Sequence, residues 1–446
     1  MKGIIMAEII SLIGIIVGIA VLIVLVFRGL PMLIVAPIAA FVVALISRVD
    51  LLESMTVSYM TGFTGFALKN FFIFFLSAIF GRMMGDSGAA KVIAYKFANI
   101  IRKAPPKKQK VIVVLSFVAL SLFFTLGGIS SFVVVFTLVP LARQLFEEMN
   151  VPWRFYTCSY LGSGVLSMTM LPGSPSIHNI LPTTYLGTTT MAAPLLGILS
   201  AIFAATLGIS YINALVKKSI RNGEGFMPSG TEISKLDLPS EELPDMSFLR
   251  AIAQSFVLLF VMNVIKITPV TTLLITVVVA SLLFTKELNG SKLASCYQNG
   301  ANNAVGAIIS ACSAVGFGAV ASSVSGYQLV INSLNSIPGP PIVQLIIAVN
   351  ITCGITGSAS GGLGIAMEQF SQRFVDMNIN PQIIHRIACI SCGGLDSLPH
   401  NTGIVNDLQV CRLTHRQGYL HYGVLTVIIP LITCVFAAIL SSFGIC

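Results

Sequence analysis

Charged residues are the scarcest class in this sequence: Asp, Glu, Lys and Arg make up 10% of it against 55% hydrophobic residues, where ordinary soluble domains carry about 25% charged residues. With a mean hydropathy of +0.90, this scarcity excludes a soluble fold, which could not hide so much apolar surface. Short segments of strict apolar and polar alternation are missing, which excludes a membrane β-barrel. No small-x-small cleavage site follows the first apolar stretch, residues 4–27, and many similar stretches come after it, so it reads as a retained helix rather than a signal peptide. The net charge of +9 is spread over short loops and not gathered in a basic domain with aromatics, which excludes nucleic acid as a partner and fits the positive-inside tendency of membrane chains. Gly-rich residues 357–364 lack a following Lys-Ser/Thr and a preceding strand, so they are not a phosphate loop. Cys389 and Cys392 have the spacing of a redox or metal pair, but they lie in an apolar stretch without further ligands at suitable spacing, and packing accounts for them better. No disulfide framework, resident metal or organic cofactor is expected.

What the sequence does contain is a duplication. Leu171-Pro172-Gly173-Ser174-Pro175-Ser176-Ile177-His178-Asn179 interrupts one apolar run, and Leu398-Pro399-His400-Asn401-Thr402-Gly403-Ile404-Val405-Asn406 interrupts another, with Leu-Pro, Ile and Asn at equal offsets. Met149-Asn150-Val151-Pro152 pairs with Met377-Asn378-Ile379-Asn380-Pro381, and Gly127-Gly128-Ile129-Ser130-Ser131 pairs with Gly357-Ser358-Ala359-Ser360-Gly361. The offset stays between 227 and 230 throughout, as expected when one unit of half the chain has been copied.

Stretches of about 20 apolar residues can cross a bilayer core as helices, and they set out the same order twice. Residues 1–216 form the first repeat: scaffold helices within 4–83 (spans at 4–27, 31–47 and 63–83), an amphipathic arm at 85–103, a hairpin at 107–146, a broken helix at 154–188 and a span at 192–216. Residues 217–248, polar and Pro-containing, read as a cytoplasmic linker. Residues 249–446 form the second repeat: scaffold helices within 249–322 (spans at 249–265, 269–285 and 302–322), an arm at 323–336, a hairpin at 340–376, a broken helix at 383–411 and a final span at 423–443. Each hairpin could instead be two full spans, but the basic residues at both ends of the first want the same side of the membrane, which favours a re-entrant hairpin. Five crossings per half is an odd number, so the halves enter the membrane in opposite senses, an inverted repeat. Placing the ends of the first hairpin in the cytoplasm puts 20 of the 26 Lys and Arg inside; the N-terminus is then external. The expected fold class is an all-α polytopic membrane protein with broken helices at the midplane.

Breaking a helix at membrane depth leaves backbone N–H and C=O groups that something must satisfy, and helix N-termini with free N–H groups suit a carboxylate. Four such N-termini are expected to converge, after Ser131, Ser174, Gly361 and Asn401, with Ser174 as N-cap and Pro175 opening the helix of the first break. The candidate substrate-binding residues are Gly128, Ser130, Ser131, Ser174, Ser176, His178, Asn179, Ser358, Ser360, Gly361, His400 and Asn401, a set suited to a small organic carboxylate with hydroxyl groups. Asp396 is the first candidate for the coupling ion and His400 the second, because a charge at this depth is expensive to keep. His400 fits equally as a brace for exposed carbonyls, and bracing is the better account of His178. Glu368 and Arg373 read as a structural pair, and Asp86 as the cap of the first arm. Ser, His and Asp near the breaks leave an intramembrane hydrolase as the enzyme alternative, disfavoured because no nucleophile-elbow pattern is present. A channel is disfavoured because two opposed hairpins closing on one site suit alternating access.

The two break motifs, with Pro182-Thr183-Thr184-Tyr185-Leu186-Gly187 after the first and Gly393-Gly394-Leu395-Asp396-Ser397 before the second, resemble the gluconate permease family of bacterial symporters, part of the wider ion transporter superfamily, over nearly the whole chain. The resemblance implies a proton-coupled symporter of gluconate-like or 3-hydroxybutyrate-like acids, with sodium as the alternative ion. It also implies a homodimer among the lipids of the bacterial cytoplasmic (inner) membrane, and an elevator-like division into scaffold and moving domain. The sequence departs from the family pattern after Asn401, where Thr402 replaces a usual Gly and Asn406-Asp407 add polarity; substrate and coupling ion are the inferences that this touches.

Overall fold

A computed structural model describes residues 2–126, 131–174, 176–226, 245–261, 265, 267–334 and 338–446. These residues are almost entirely helical, and none of them forms a strand. Among the described residues six helices are long and apolar enough to cross a membrane, including Met6–Phe27, Leu51–Asp86, Pro194–Arg221 and Gly290–Ser323. Large apolar side chains such as Leu52, Leu68, Leu249 and Phe443 face outward, the surface a lipid-embedded protein requires.

The first half opens with α1 (Lys2–Phe27), α2 (Met32–Ser47) and α3 (Leu51–Asp86). α3 starts twelve residues before the expected 63. Its polar early residues do not end it, because Thr56 and Thr64 donate to the carbonyls of Leu52 and Met60, one turn back, and residues 54–59 widen into a π-turn. The arm is α4 (Ala89–Ile101), started by Ser87, whose Oγ accepts from the Ala89 N–H at 3.2 Å. Asp86, the expected cap, instead pairs with Arg82 at 2.7 Å. The hairpin follows as α5 (Pro106–Leu126) and α6 (Ser131–Glu148); the tip, with Gly128 and Ser130, lies outside the described residues. A 3₁₀ segment (Trp153–Ser159), a π-helix (Leu161–Met170), α7 (Ile177–Leu186) and α8 (Pro194–Arg221) complete the half.

The second half runs α9 (Phe248–Phe260), α10 (Pro269–Leu283), α11 (Gly290–Ser323), α12 (Ser325–Leu334), α13 (Pro341–Thr356), α14 (Ala359–Asp376), α15 (Pro381–Cys392), α16 (Thr402–Cys411) and α17 (His415–Ser442). α11 begins twelve residues before the expected 302, and α17 eight before the expected 423. The polar residues that argued for loops there face protein. Lys292, Ser295 and Asn302 line a cavity, and Tyr419 and Tyr422 reach the second break. Arg373 donates to Gln344 across the hairpin at 2.8 Å, while Glu368 is exposed.

Packing comes in reciprocal pairs: α2 on α11 and α10 on α3, α1 on α12 and α9 on α4, α7 on α14 and α16 on α6. At the centre α3 crosses α11. Association of helices in lipid draws little on the hydrophobic effect and relies on close backbone approach at small residues. A Cβ at Gly62 would stand 2.6 Å from Ala319 Cβ and 2.9 Å from the Val315 carbonyl, and one at Gly316 would stand 2.8 Å from the Tyr59 ring. The halves are also tied by hydrogen bonds: Gly326 N–H donates to Ser11 Oγ at 2.9 Å, and the Trp153 indole donates to the Cys411 carbonyl at 3.0 Å. Replacing Gly62 with Leu is expected to separate α3 from α11 and lower the melting temperature of the detergent-solubilised protein, overpacking costing about 1–3 kcal/mol or more; Gly65→Leu, where a Cβ meets nothing within 4 Å, is the control that should melt like the parent.

Candidate functional site

The first break begins where the π-helix stops at Met170 and Pro172 brings no N–H of its own. The next helix is capped by Ser176, not by Ser174: Ser176 Oγ accepts from the Asn179 N–H at 3.4 Å and donates to the Met168 carbonyl at 2.8 Å. The Ser-Pro-Ser sequence offers two capping hydroxyls, and the chain uses the one followed directly by Ile177. Ser174 is buried with its Oγ unpartnered.

The carbonyls freed by this break are met by Arg386, which is fully buried on α15 of the other half. Its Nε and Nη2 donate to the Ala192 carbonyl at 3.0 and 2.8 Å, Nη2 to the Thr190 carbonyl at 3.2 Å, and Nη1 to the Met170 carbonyl at 3.3 Å and Asn179 Oδ1 at 3.2 Å. Asn179 is a hub, its amide donating to the carbonyls of Ser174 and Thr190 at 2.9 Å. His385 Nε2 donates to Asn179 Oδ1 at 3.2 Å, and its Nδ1 accepts from Thr188 at 2.7 Å. The four hydrogen-bonding positions of the Asn179 amide are thereby all used. His178 is buried, its Nδ1 unpartnered and its carbonyl accepting from Cys389 Sγ at 3.2 Å. That bond places Cys389 in packing, as expected of it.

The second break lies between α15 and α16, with a 3₁₀ turn at Leu395–Ser397. Asn401 caps α16, accepting from the Ile404 N–H at 2.9 Å, while its amide donates to Asp396 Oδ2 at 3.0 Å; Ser397 donates to Asp396 Oδ1 at 3.0 Å. Asp396 is buried and forms no ion pair among the described residues. His400 Nε2 donates to the Gly354 carbonyl at 3.0 Å and its ring meets Phe317 edge-on, which is the bracing geometry. Gly357, at the second hairpin tip with φ +59°, leaves no room for a side chain, since a Cβ would sit 2.2 Å from His400 Cδ2. Asn350 accepts from the Leu395 N–H at 3.1 Å, His415 donates to the Pro399 carbonyl at 2.8 Å, and Tyr419 donates to the Ser397 carbonyl at 2.8 Å.

Of the expected N-termini, those of α6, α14 and α16 gather at the second break. Ser131, opening α6, interacts with Tyr160, whose hydroxyl lies against Gly403 of α16. The second tip meets His400. α14 starts at Ala359 with Ser358 as its cap, so Gly361, whose N–H donates to Ser358 Oγ at 3.2 Å, and half-buried Ser360 lie inside its first turn and not before it. The N-terminus of α7 stands apart, at the Arg386 clasp. The breaks adjoin where Gly393 packs on Thr169. Sequence reasoning missed Arg386, His385, Asn350, Tyr160, Tyr419 and Tyr422; a charge inside an apolar stretch was the available signal for Arg386.

A cavity of about 1550 Å³ opens between α3, α6, α11 and α16. Arg82, Arg143, Lys292 and Arg412 share its wall with Asp86, Asp245 and Glu287. Phe136 and Val405 line it, five residues past Ser131 and four past Asn401. At 1.5 Å per residue it therefore approaches within about 6–8 Å of both N-termini. Replacing Arg386 with Gln is expected to leave several carbonyls unsatisfied at about 1–3 kcal/mol each and so to lower the melting temperature sharply, with Arg386→Lys intermediate; thermal unfolding in detergent is the measurement.

The chain is 29% identical, over 94% of its length and 96% of the relative's, to the uncharacterized transporter YxjC of Bacillus subtilis (strain 168). Among solved structures, that of the Alcanivorax borkumensis YdaH transporter, described as having an unusual topology, aligns over 89% of this chain and 90% of that one at 14% identity and a TM-score of 0.37. A family model described as GntP family permease matches residues 10–249, more than half of the 446 residues, and the chain belongs to this family of membrane transporters.

Proposed function

We propose that this permease takes up a small hydroxy monocarboxylate, such as 3-hydroxybutyrate or gluconate, by proton symport across the bacterial cytoplasmic membrane. The observation that carries the reading is the second break: Asp396, a buried carboxylate with no ion pair among the described residues, where the N-termini of α6, α14 and α16 gather near a large cavity. Helix N-termini and neutral donors suit a single carboxylate, and a carboxylate at membrane depth suits a coupling cation. In this reading Ser131, Ser358, Ser360, His400 and Asn401 surround the substrate and Asp396 handles the ion. Ser174, His178 and Gly361, with Gly128 and Ser130, complete the contact set when the site closes, while Ser176 and Asn179, whose side chains are already hydrogen-bonded within the first break, hold its shape.

The mechanism proposed is an elevator. α1–α3 and α9–α11 form the scaffold, contributed by both protomers of a homodimer, and the two hairpins and broken helices move against it on the arms α4 and α12. The N-terminus is external and the cavity faces the cytoplasm, where the basic residues of its rim belong.

Purified protein in proteoliposomes should accumulate labelled 3-hydroxybutyrate or gluconate when a pH gradient alone is imposed. Accumulation driven only by a sodium gradient would assign the coupling to Na⁺, and uptake of neither acid would overturn the substrate assignment. Single cysteines at Ser131 and Ser360, placed in a background without the native cysteines, should react with impermeant thiol reagents from opposite sides and change reactivity with substrate; reactivity fixed on one side would rule out the elevator.

A further inference from the structure

The duplication allows each break residue to be set against its counterpart 227 positions away. In that register Asn179 corresponds to Asn406. Asn179 is saturated by Arg386, His385 and two carbonyls. Asn406 is fully buried too, yet neither its Oδ1 nor its Nδ2 makes a hydrogen bond. Its side chain lies beside the carboxyl of Asp407, whose counterpart is Ile180. Where the first half brings a built-in cation to its break asparagine, the second brings a carboxylate.

Asp407 is buried and forms no ion pair among the described residues. Tyr422 donates to its Oδ2 at 3.3 Å. The Tyr160 ring lies 4.8 Å from that of Tyr422, and the Tyr160 hydroxyl stands 2.7 Å from where a Gly403 Cβ would be, with Asn401 Oδ1 3.1 Å from the same point. Among the described residues, Tyr156, from the 3₁₀ segment, and Cys411, one turn further along α16, are further titratable groups facing Asp407. None of these is basic. A buried carboxylate surrounded only by neutral groups is expensive, and at membrane depth such a group marks an ion-handling position.

We propose that Asp407 and Asn406, with the hydroxyls of Tyr422 and Tyr160, bind an exchangeable monovalent cation, a proton or Na⁺, at the place in the second half that the Arg386 guanidinium fills in the first. The inference rests on the reading of this chain as an ion-coupled transporter and adds to Asp396 a second cation position. Val405, Leu408, Gln409, Val410 and Arg412 of α16 line the cavity, while Asp407 and Cys411 face Tyr422 and Tyr156.

The test needs no substrate. Thermal unfolding of the purified protein is followed in NaCl and in choline chloride at matched ionic strength, each across a pH series, for the parent, Asp407→Asn and Asp407→Glu. A ligand that binds only the folded state raises the melting temperature with the logarithm of its concentration. The parent should respond to Na⁺, or to pH alone if the cation is a proton. Asp407→Asn should need about tenfold or more cation for the same response, the loss expected when a charged partner becomes neutral, and Asp407→Glu should stay near the parent. Equal responses in the parent and Asp407→Asn would overturn the site. If Asp407→Asn does not fold, Tyr422→Phe, which keeps the carboxylate, must weaken the response, and an unchanged response would equally overturn it. Uptake assays on the same preparations separate this from the transport reading: parent vesicles that accumulate neither acid, with the Asp407-dependent response intact, would remove the substrate assignment and leave the cation site standing.

Discussion

A helix opened inside a membrane exposes carbonyl groups that lipid cannot satisfy, and in this protein one buried guanidinium satisfies those of the first break. Arg386 gathers the carbonyls of Met170, Thr190 and Ala192 together with the Asn179 amide. The planar, permanently charged fork suits this task, since it places several N–H donors in fixed directions where a lysine would offer a single point. The path of the chain from the π-helix through α7 to α8 depends on it. So does the placing of α15, because the guanidinium must reach into the other half to make these bonds.

The second break is satisfied differently, and this difference between duplicated halves points to function. Its carbonyls are met by neutral groups, with His400 on Gly354, His415 on Pro399 and Tyr419 on Ser397. Its charges are the carboxylates of Asp396 and Asp407, buried without cationic partners among the described residues. Two similar break sequences thus carry divergent side chains, one met by a guanidinium and the other holding two carboxylates.

Much of the architecture was legible because Pro, Gly and Ser punctuate apolar runs and do so twice at a constant offset. Helix starts were the weakest part. α3, α11 and α17 each begin before the point where the sequence turns wholly apolar, since polarity signals a loop only if the residue faces lipid. Asn302 faces a cavity, Tyr422 faces a carboxylate, and the hydroxyl of Thr56 returns to its own helix. The register of the first break was misjudged by two residues because Ser174 and Ser176 are chemically alike. Arg386 stayed hidden for a different reason: its partners lie about 190 to 220 positions away in the sequence, a pairing that neither composition nor periodicity can express.

The same distances bear on how the protein is made. α1 is closed by the N–H of Gly326, the indole of Trp153 by the carbonyl of Cys411, and the first break by Arg386. Synthesis runs from the N-terminus, at roughly 5–20 residues per second, so the first half is inserted many seconds before the groups that complete it exist. Through that interval its break has only its own partners, Ser176 on Met168 and Asn179 on Ser174 and Thr190, and the glycine face of α3 is uncovered. The first half therefore waits in the membrane for its second half, with the Met170 and Ala192 carbonyls lacking the guanidinium that meets them in the finished fold.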